Sequence, residues 1–74
     1  MYITLTNAAE VHRGNKIAIN SDVVVTVYDS FVEKETGILE NVTYIFCPPH
    51  GTWEVTESLE TVVNLLNNTD ESWN

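Results

Sequence analysis

The feature that most constrains this fold is a change of hydrophobic period after Val55. Before it, apolar and polar residues alternate in Tyr2–Thr6 and Lys16–Asn20, which is typical of half-buried β-strands. After it, apolar residues recur at the i, i+3, i+4, i+7 spacing of one helix face: Leu59, Val62, Val63 and Leu66. The sequence therefore predicts an α+β fold whose helix comes last.

Three more strands are predicted between these segments. The β-branched run "VVVTVYDS" at 23–30, the segment "NVTYIFC" at 41–47 and the short "TWEV" at 52–55 all favour extended structure. The segment 33–37 is predicted to be a hairpin tip, with Gly37 where positive φ is needed. The result is an antiparallel β-meander of about five short strands with one C-terminal α-helix.

One helix cannot cover both faces of such a sheet, which leaves two alternatives. Either the sheet curls into a partial barrel, or a second copy of the chain covers its other face. The candidates for that second face are the aromatic residues Tyr28, Phe31, Tyr44, Phe46 and Trp53. A chain of 74 residues with one cysteine has no intrachain disulfide to stabilise it, which favours a homo-oligomer.

The helix boundaries set the domain limits. Thr56 or Ser58 is expected to cap its first turn, and Asn67–Asn68 is expected to end it. We predict one domain over residues 1–67 and a flexible acidic tail over residues 68–74, with Trp73 mobile or docked on a partner.

The net charge of −8 limits the class of partner. A negative field of this size repels nucleic acid and anionic membranes and attracts basic surfaces, so a basic protein partner is favoured. No stretch has the roughly 20 apolar residues of a membrane span. The N-terminal sequence has no signal-peptide pattern, and we expect a cytoplasmic protein.

Several short motifs together resemble the FlbD-like small proteins associated with flagellar and swarming genes. The motifs are "ITLTN", "INSDVVVTV", a strand containing Thr43, then Gly51 and "WEVTESLETVVNLL", and they cover roughly residues 2–66. The 29–40 hairpin is longer than in that family, and "CPPHG" replaces a plain turn, which suggests a divergent, phage-encoded member acting in the host cytoplasm. The resemblance implies the fold and a small regulatory or binding role, and it transfers no enzymatic residues.

The "CPPHG" segment also has to be considered as a chemical site. Cys47 and His50 form half of a zinc site, which His12 and an acid, or a second subunit, would have to complete. A nucleophilic thiol needs a lowered pKa, whereas acidic surroundings raise it. We therefore expect no enzyme, no metal and no cofactor, and interpret the segment as a rigid reverse turn.

The preferred hypothesis is a non-enzymatic protein that binds a partner protein. The alternative is an acidic DNA mimic, of the kind phages use to inhibit a host nucleic-acid-binding protein. Trp53 is expected to pack under the helix, or else to anchor an interface. The candidate partner-binding residues lie on the long hairpin, the turn and the helix start: Asp29, Glu33, Glu35, Glu40, His50, Trp53, Glu54, Glu57 and Glu60.

Overall fold

The computed structural model describes residues 1–71, and side chains through residue 68. Within that part the chain forms five antiparallel strands and one C-terminal helix, which confirms the predicted α+β class. The strands are β1 (Tyr2–Thr6), β2 (Lys16–Asn20), β3 (Thr26–Glu33), β4 (Leu39–Cys47) and β5 (Gly51–Val55), and the helix is α1 (Leu59–Glu71).

The strands form two sheets that meet at one corner. β1 pairs with β2, and β3, β4 and β5 form a three-stranded meander. A single bridge between Asn7 and Val55 joins the sheets, and the Thr56 N–H donates to the Thr6 carbonyl at 2.9 Å. The sheets do not close into a barrel, so the partial-barrel alternative is wrong.

The core lies between the sheets and the helix. Its buried side chains are Ile3, Leu5, Ile19, Ile45, Cys47, Val55 and Val62. The alternation in β1 places Ile3 and Leu5 inward as predicted, while Ile17 of β2 is only half-buried.

The third strand begins later than its β-branched run predicts. Residues Ser21–Val23 form a 3₁₀ turn, in which the Asn20 side chain accepts a hydrogen bond from the Asp22 N–H at 3.0 Å. This local bond competes with the strand, because Asn side chains offer the backbone an alternative partner. As a result Val25, two residues beyond the turn, is exposed.

The predicted hairpin tip is confirmed. The Gly37 N–H donates to the Lys34 carbonyl at 2.8 Å, and the Lys34 N–H donates to the Ile38 carbonyl at 2.9 Å. Gly37 has φ of +81°, a conformation that residues with a Cβ rarely adopt.

The helix begins as predicted but ends later. The Ser58 hydroxyl accepts the Thr61 N–H at 3.1 Å, so Ser58 is the residue that caps the first turn. The inward stripe includes Val62, while Val63 is exposed. The helix continues through Asn67–Asn68 to Glu71, because asparagine disfavours a helix much less than glycine or proline does, and neither of those follows it in the sequence.

The predicted tail is therefore shorter than residues 68–74, because residues 68–71 belong to α1. The predictions for Trp73 and for tail flexibility lie in residues 72–74, outside the described residues. In the described part of the chain, no helix has the length and apolar character needed to cross a bilayer.

Candidate functional site

The "CPPHG" segment is a reverse turn between β4 and β5, as predicted. The His50 N–H donates to the Cys47 carbonyl at 2.7 Å, and the Pro48–Pro49 peptide bond is cis, which is the arrangement of a type VI turn. Gly51 follows with φ of +112°. Pro48 and Pro49 place no N–H in the ladder, so β4 ends at the residue before them.

The cysteine of this turn belongs to the core. Cys47 is buried, and burial raises the pKa of its thiol, which disfavours the thiolate that nucleophilic chemistry or metal binding needs. Among the side chains of residues 1–68, no three histidine, cysteine or acidic groups converge as metal ligands would.

A groove opens beside the turn, between the β1–β2 sheet and the edge of β5. It has a volume of about 450 Å³, and its lining side chains are mainly apolar, with one imidazole among them. The lining residues are Tyr2, Ile17, Ala18, Ile19, Asn20, Val23, Cys47, His50 and Trp53.

Trp53 lies in this groove, and the prediction that it packs under the helix is wrong. Its side chain is 40% exposed. Helix α1 lies mainly against β3, at the opposite edge of the three-stranded sheet from β5. In β5 it is Val55, not Trp53, that joins the core with Val62 of the helix. Trp53 and His50, both predicted to bind a partner, are brought together here.

The aromatic residues predicted to share one face are divided between both faces of the three-stranded sheet. Tyr28 pairs with Tyr44 across the strands, and their rings stack with centroids 5.2 Å apart. Phe46 is two residues along β4 from Tyr44 and therefore lies on the same side, which we call the outer face. Phe31 and Trp53 belong to the opposite face, because they lie at the alternate register positions of β3 and β5.

The hairpin carboxylates do not form one uniform acidic surface. Glu40 is bonded by the Arg13 guanidinium and lies 3.3 Å from the Lys34 ammonium, which also lies 3.7 Å from Glu54. The hydrogen bond from Arg13 holds the pKa of Glu40 below its ordinary value. Glu40 and Glu54 are thus engaged within the chain, at half-buried positions where solvent still screens the ion pairs and limits their contribution to stability.

The other hairpin acids, Asp29, Glu33 and Glu35, are exposed. Asp29 accepts a long hydrogen bond of 3.4 Å from the Asn41 amide. Among the described residues, no lysine, arginine or histidine side chain lies within ion-pair distance of these three carboxylates.

Glu57, just before the helix, fastens it to the first sheet. Its two carboxylate oxygens accept the N–H and the hydroxyl of Thr6, each at 2.9 Å. Burial by itself raises the pKa of Glu57, but the bonds from Thr6 outweigh it, so the pKa lies below its ordinary value. The hydroxyl of buried Thr43 also donates to the Glu57 carbonyl at 2.7 Å. Glu60, by contrast, is exposed.

Sequence reasoning did not find the roles of Thr6 and Thr43. Both threonines stand in strands, where their β-branched shape already explains them, and the bonds to Glu57 link residues 51 and 14 positions apart. No local pattern signals such a pairing.

The chain was compared with protein-family models, with curated proteins and with solved structures, and nothing matched it. The FlbD-like resemblance stays a prediction.

Proposed function

We propose that this chain is a small, non-enzymatic regulatory protein that binds a partner protein in the groove containing Trp53. The exposed indole in an apolar groove is the observation that carries the proposal. Tryptophan and tyrosine are enriched at binding hot spots, because they supply a large contact area at low entropic cost. Tyr2 and His50, both exposed, add polar groups to the apolar lining.

Charge supports a basic partner. All three basic side chains already contact groups of the same chain: Arg13 and Lys34 bind carboxylates, and the Lys16 ammonium donates to the Thr6 hydroxyl at 2.7 Å. Because the acidic residues outnumber these three cations, the chain has a net charge of −8, and the resulting negative field speeds encounter with a basic surface. We place this action in a reducing compartment, the cytoplasm, with which the free thiol of Cys47 is compatible.

We also propose a homo-oligomer that uses the outer face. The stacked pair Tyr28–Tyr44 and the neighbouring Phe46 form a partly exposed aromatic surface on the outer face, beside Val42, which is buried on the same face. A second copy would cover these rings. In sedimentation velocity, Phe46→Asp is expected to shift the protein to monomer, whereas Val11→Asp, at an exposed residue of the 3₁₀ helix Glu10–His12, should leave its state unchanged.

Partner capture at low and high salt tests the binding proposal. Immobilised protein is incubated with lysate of the likely host, and the bound proteins are compared among wild type, Trp53→Ala and the control Val11→Ala. We expect one partner that is retained at high salt and lost with Trp53→Ala only. Equal capture by all three proteins would contradict the proposal.

The DNA-mimic hypothesis predicts a different pattern in the same experiment. A mimic binds through carboxylates, so salt and Glu60→Lys would release its partner, and Trp53→Ala would not. Glu60 suits this test better than Glu57, because Glu57 is bonded to Thr6 and its reversal would disturb the fold.

A further inference from the structure

We infer that the outer edge of β3 binds an extended basic segment of another protein, which adds as a further strand to the three-stranded sheet. This goes beyond the proposed function, because it assigns a docking surface separate from the groove and gives the sequence pattern of its partner. β3 is the last strand of its sheet, hydrogen-bonded to β4 on one side only.

The register identifies the backbone groups available on that edge. Lys34 bonds to Ile38, and these two residues continue the β3–β4 ladder. Bonded and non-bonded pairs alternate in an antiparallel ladder, so the even-numbered residues of β3 bond to β4. The N–H and C=O groups of Asp29, Phe31 and Glu33 consequently point away from β4.

This stretch of β3 is accessible. The side chains of residues 28–31 are all exposed, although successive side chains point to opposite faces of the sheet. Phe31 is 67% exposed. Although α1 approaches β3, it therefore leaves this stretch open, and Val27 is the residue of β3 that packs against the core.

The charges along the β3 edge indicate which kind of segment would bind there. Asp29, Phe31 and Glu33 share one face of the sheet, and neither carboxylate has a cationic partner among the described residues. An added strand would place its own alternate residues beside them. The complementary segment is Lys/Arg–x–apolar–x–Lys/Arg, in which the cations meet the carboxylates and the apolar residue covers Phe31.

A second copy of this chain fits the edge poorly. Antiparallel self-pairing centred on Phe31 would set Asp29 of one copy opposite Glu33 of the other, and like charges directly opposite each other are destabilising. Each copy also has a net charge of −8. The edge acids thus disfavour self-pairing and favour a basic strand.

A synthetic peptide tests the inference directly. The probe is fluorescein-labelled Thr-Thr-Lys-Thr-Val-Thr-Lys-Thr-Thr, whose central pattern reads the same in both chain directions. Its control has the same composition with the second lysine moved back by one position, and therefore onto the opposite face. Fluorescence anisotropy with the full chain should show binding of the probe that is about fivefold tighter than binding of the control.

Protein variants locate the binding. The double variant Asp29→Asn/Glu33→Gln should weaken probe binding about fivefold. The control Asp22→Asn changes an exposed acid that lies beside the N-terminal ammonium in the fold, and it should change binding less than twofold. Phe31→Pro removes an outward N–H without breaking a bond to β4, and it should weaken binding about tenfold. Circular dichroism checks that each variant is folded, and the charge variant keeps the test decisive if the proline variant unfolds.

Hydrogen exchange supplies the second readout. Probe binding should slow exchange at the amides of Asp29, Phe31 and Glu33, and change the already bonded amides of Tyr28 and Ser30 little. Equal binding of both peptides, equal binding by the edge variants, or no binding at millimolar protein would overturn the inference. Slowed exchange at the same amides with rising protein concentration and no probe would assign the edge to a second copy instead. None of these results would change the outcome for Trp53→Ala, so the groove proposal is judged separately.

Discussion

Acidic residues lie both at the helix start and along the β3 edge, but Glu57 at the first is bonded within the chain, whereas those at the second are exposed. Around Glu57, a carboxylate, two threonine hydroxyls and backbone groups bond one another between β1, β4 and the segment that precedes α1. Along β3, Asp29 and Glu33 are exposed, and the neighbouring Phe31 has no cover. In this chain an acidic residue therefore has a structural role in one place and is available for binding in the other, and the difference comes from what packs beside it.

Truncating a core side chain should lower the free energy of unfolding far more than truncating an exposed side chain on the β3 edge. Ile45→Ala, at a fully buried side chain, is expected to lower the free energy of unfolding by about 3 kcal/mol, because it leaves a cavity. Phe31→Ala removes a larger side chain from the exposed edge and should cost less than about 0.5 kcal/mol. Urea denaturation measures both. A comparable loss for Phe31→Ala would mean that the edge is covered.

The bonds between Glu57 and Thr6 should give the next largest effect. Glu57→Ala leaves the N–H and the hydroxyl of Thr6 without their charged acceptor and is expected to cost about 2 kcal/mol in urea denaturation. The matched change Glu60→Ala, three residues later on the exposed side of the helix, should cost no more than about 0.5 kcal/mol. Equal losses for the two variants would show that Glu57 acts only through the helix dipole.

The helix cap should contribute less. Ser58→Ala removes the acceptor of the Thr61 N–H and is expected to cost about 1 kcal/mol. Ser30→Ala, at the exposed β3 position, serves as the control and should change stability by no more than about 0.5 kcal/mol. Thermal denaturation followed by circular dichroism compares the two. No difference between them would indicate that Thr56 can cap the helix in place of Ser58.

Acid should weaken the bonds between Glu57 and Thr6 without removing any atom. The pKa of Glu57 is lower in the folded state than in the unfolded chain, so its contribution is complete above the ordinary glutamate pKa. As the pH falls through that value toward the folded pKa, the unfolded chain takes up the proton first and the contribution is lost. Urea midpoints from pH 7 to pH 3 should therefore fall less steeply for Glu57→Gln than for wild type, whereas Glu60→Gln should follow wild type.

The sequence patterns that predicted the fold correctly depend on residues that are close together in the sequence. The alternation in β1 and β2, the Gly37 turn and the Ser58 cap each lie within a few residues, and the structure confirms all of them. One error was local, because the Asn20 side chain bonds the Asp22 N–H and delays β3. The other came from tertiary packing, because α1 lies mainly against β3 and Trp53 stays exposed in the groove.

The candidate site was predictable only as a set of residue types. The sequence showed that tryptophan, histidine and acids lie at turns and strand ends, but it did not separate Glu57, which is bonded to Thr6, from exposed Glu60. Both follow the rule that acids favour a helix start. Their difference depends on β1, which arrives beside the helix from the other end of the chain.

The sequence by itself determined the order and type of the strands and helix, the acidic charge and the turn at "CPPHG", because each depends on neighbouring residues or on composition. Only the tertiary structure decided that the strands split into two sheets, that the aromatic residues divide between two faces, and which carboxylates stay open to solvent. The physical reason is that burial and pairing depend on which segments meet in space, and in a chain with so small a core one contact between distant strands sets the environment of many side chains.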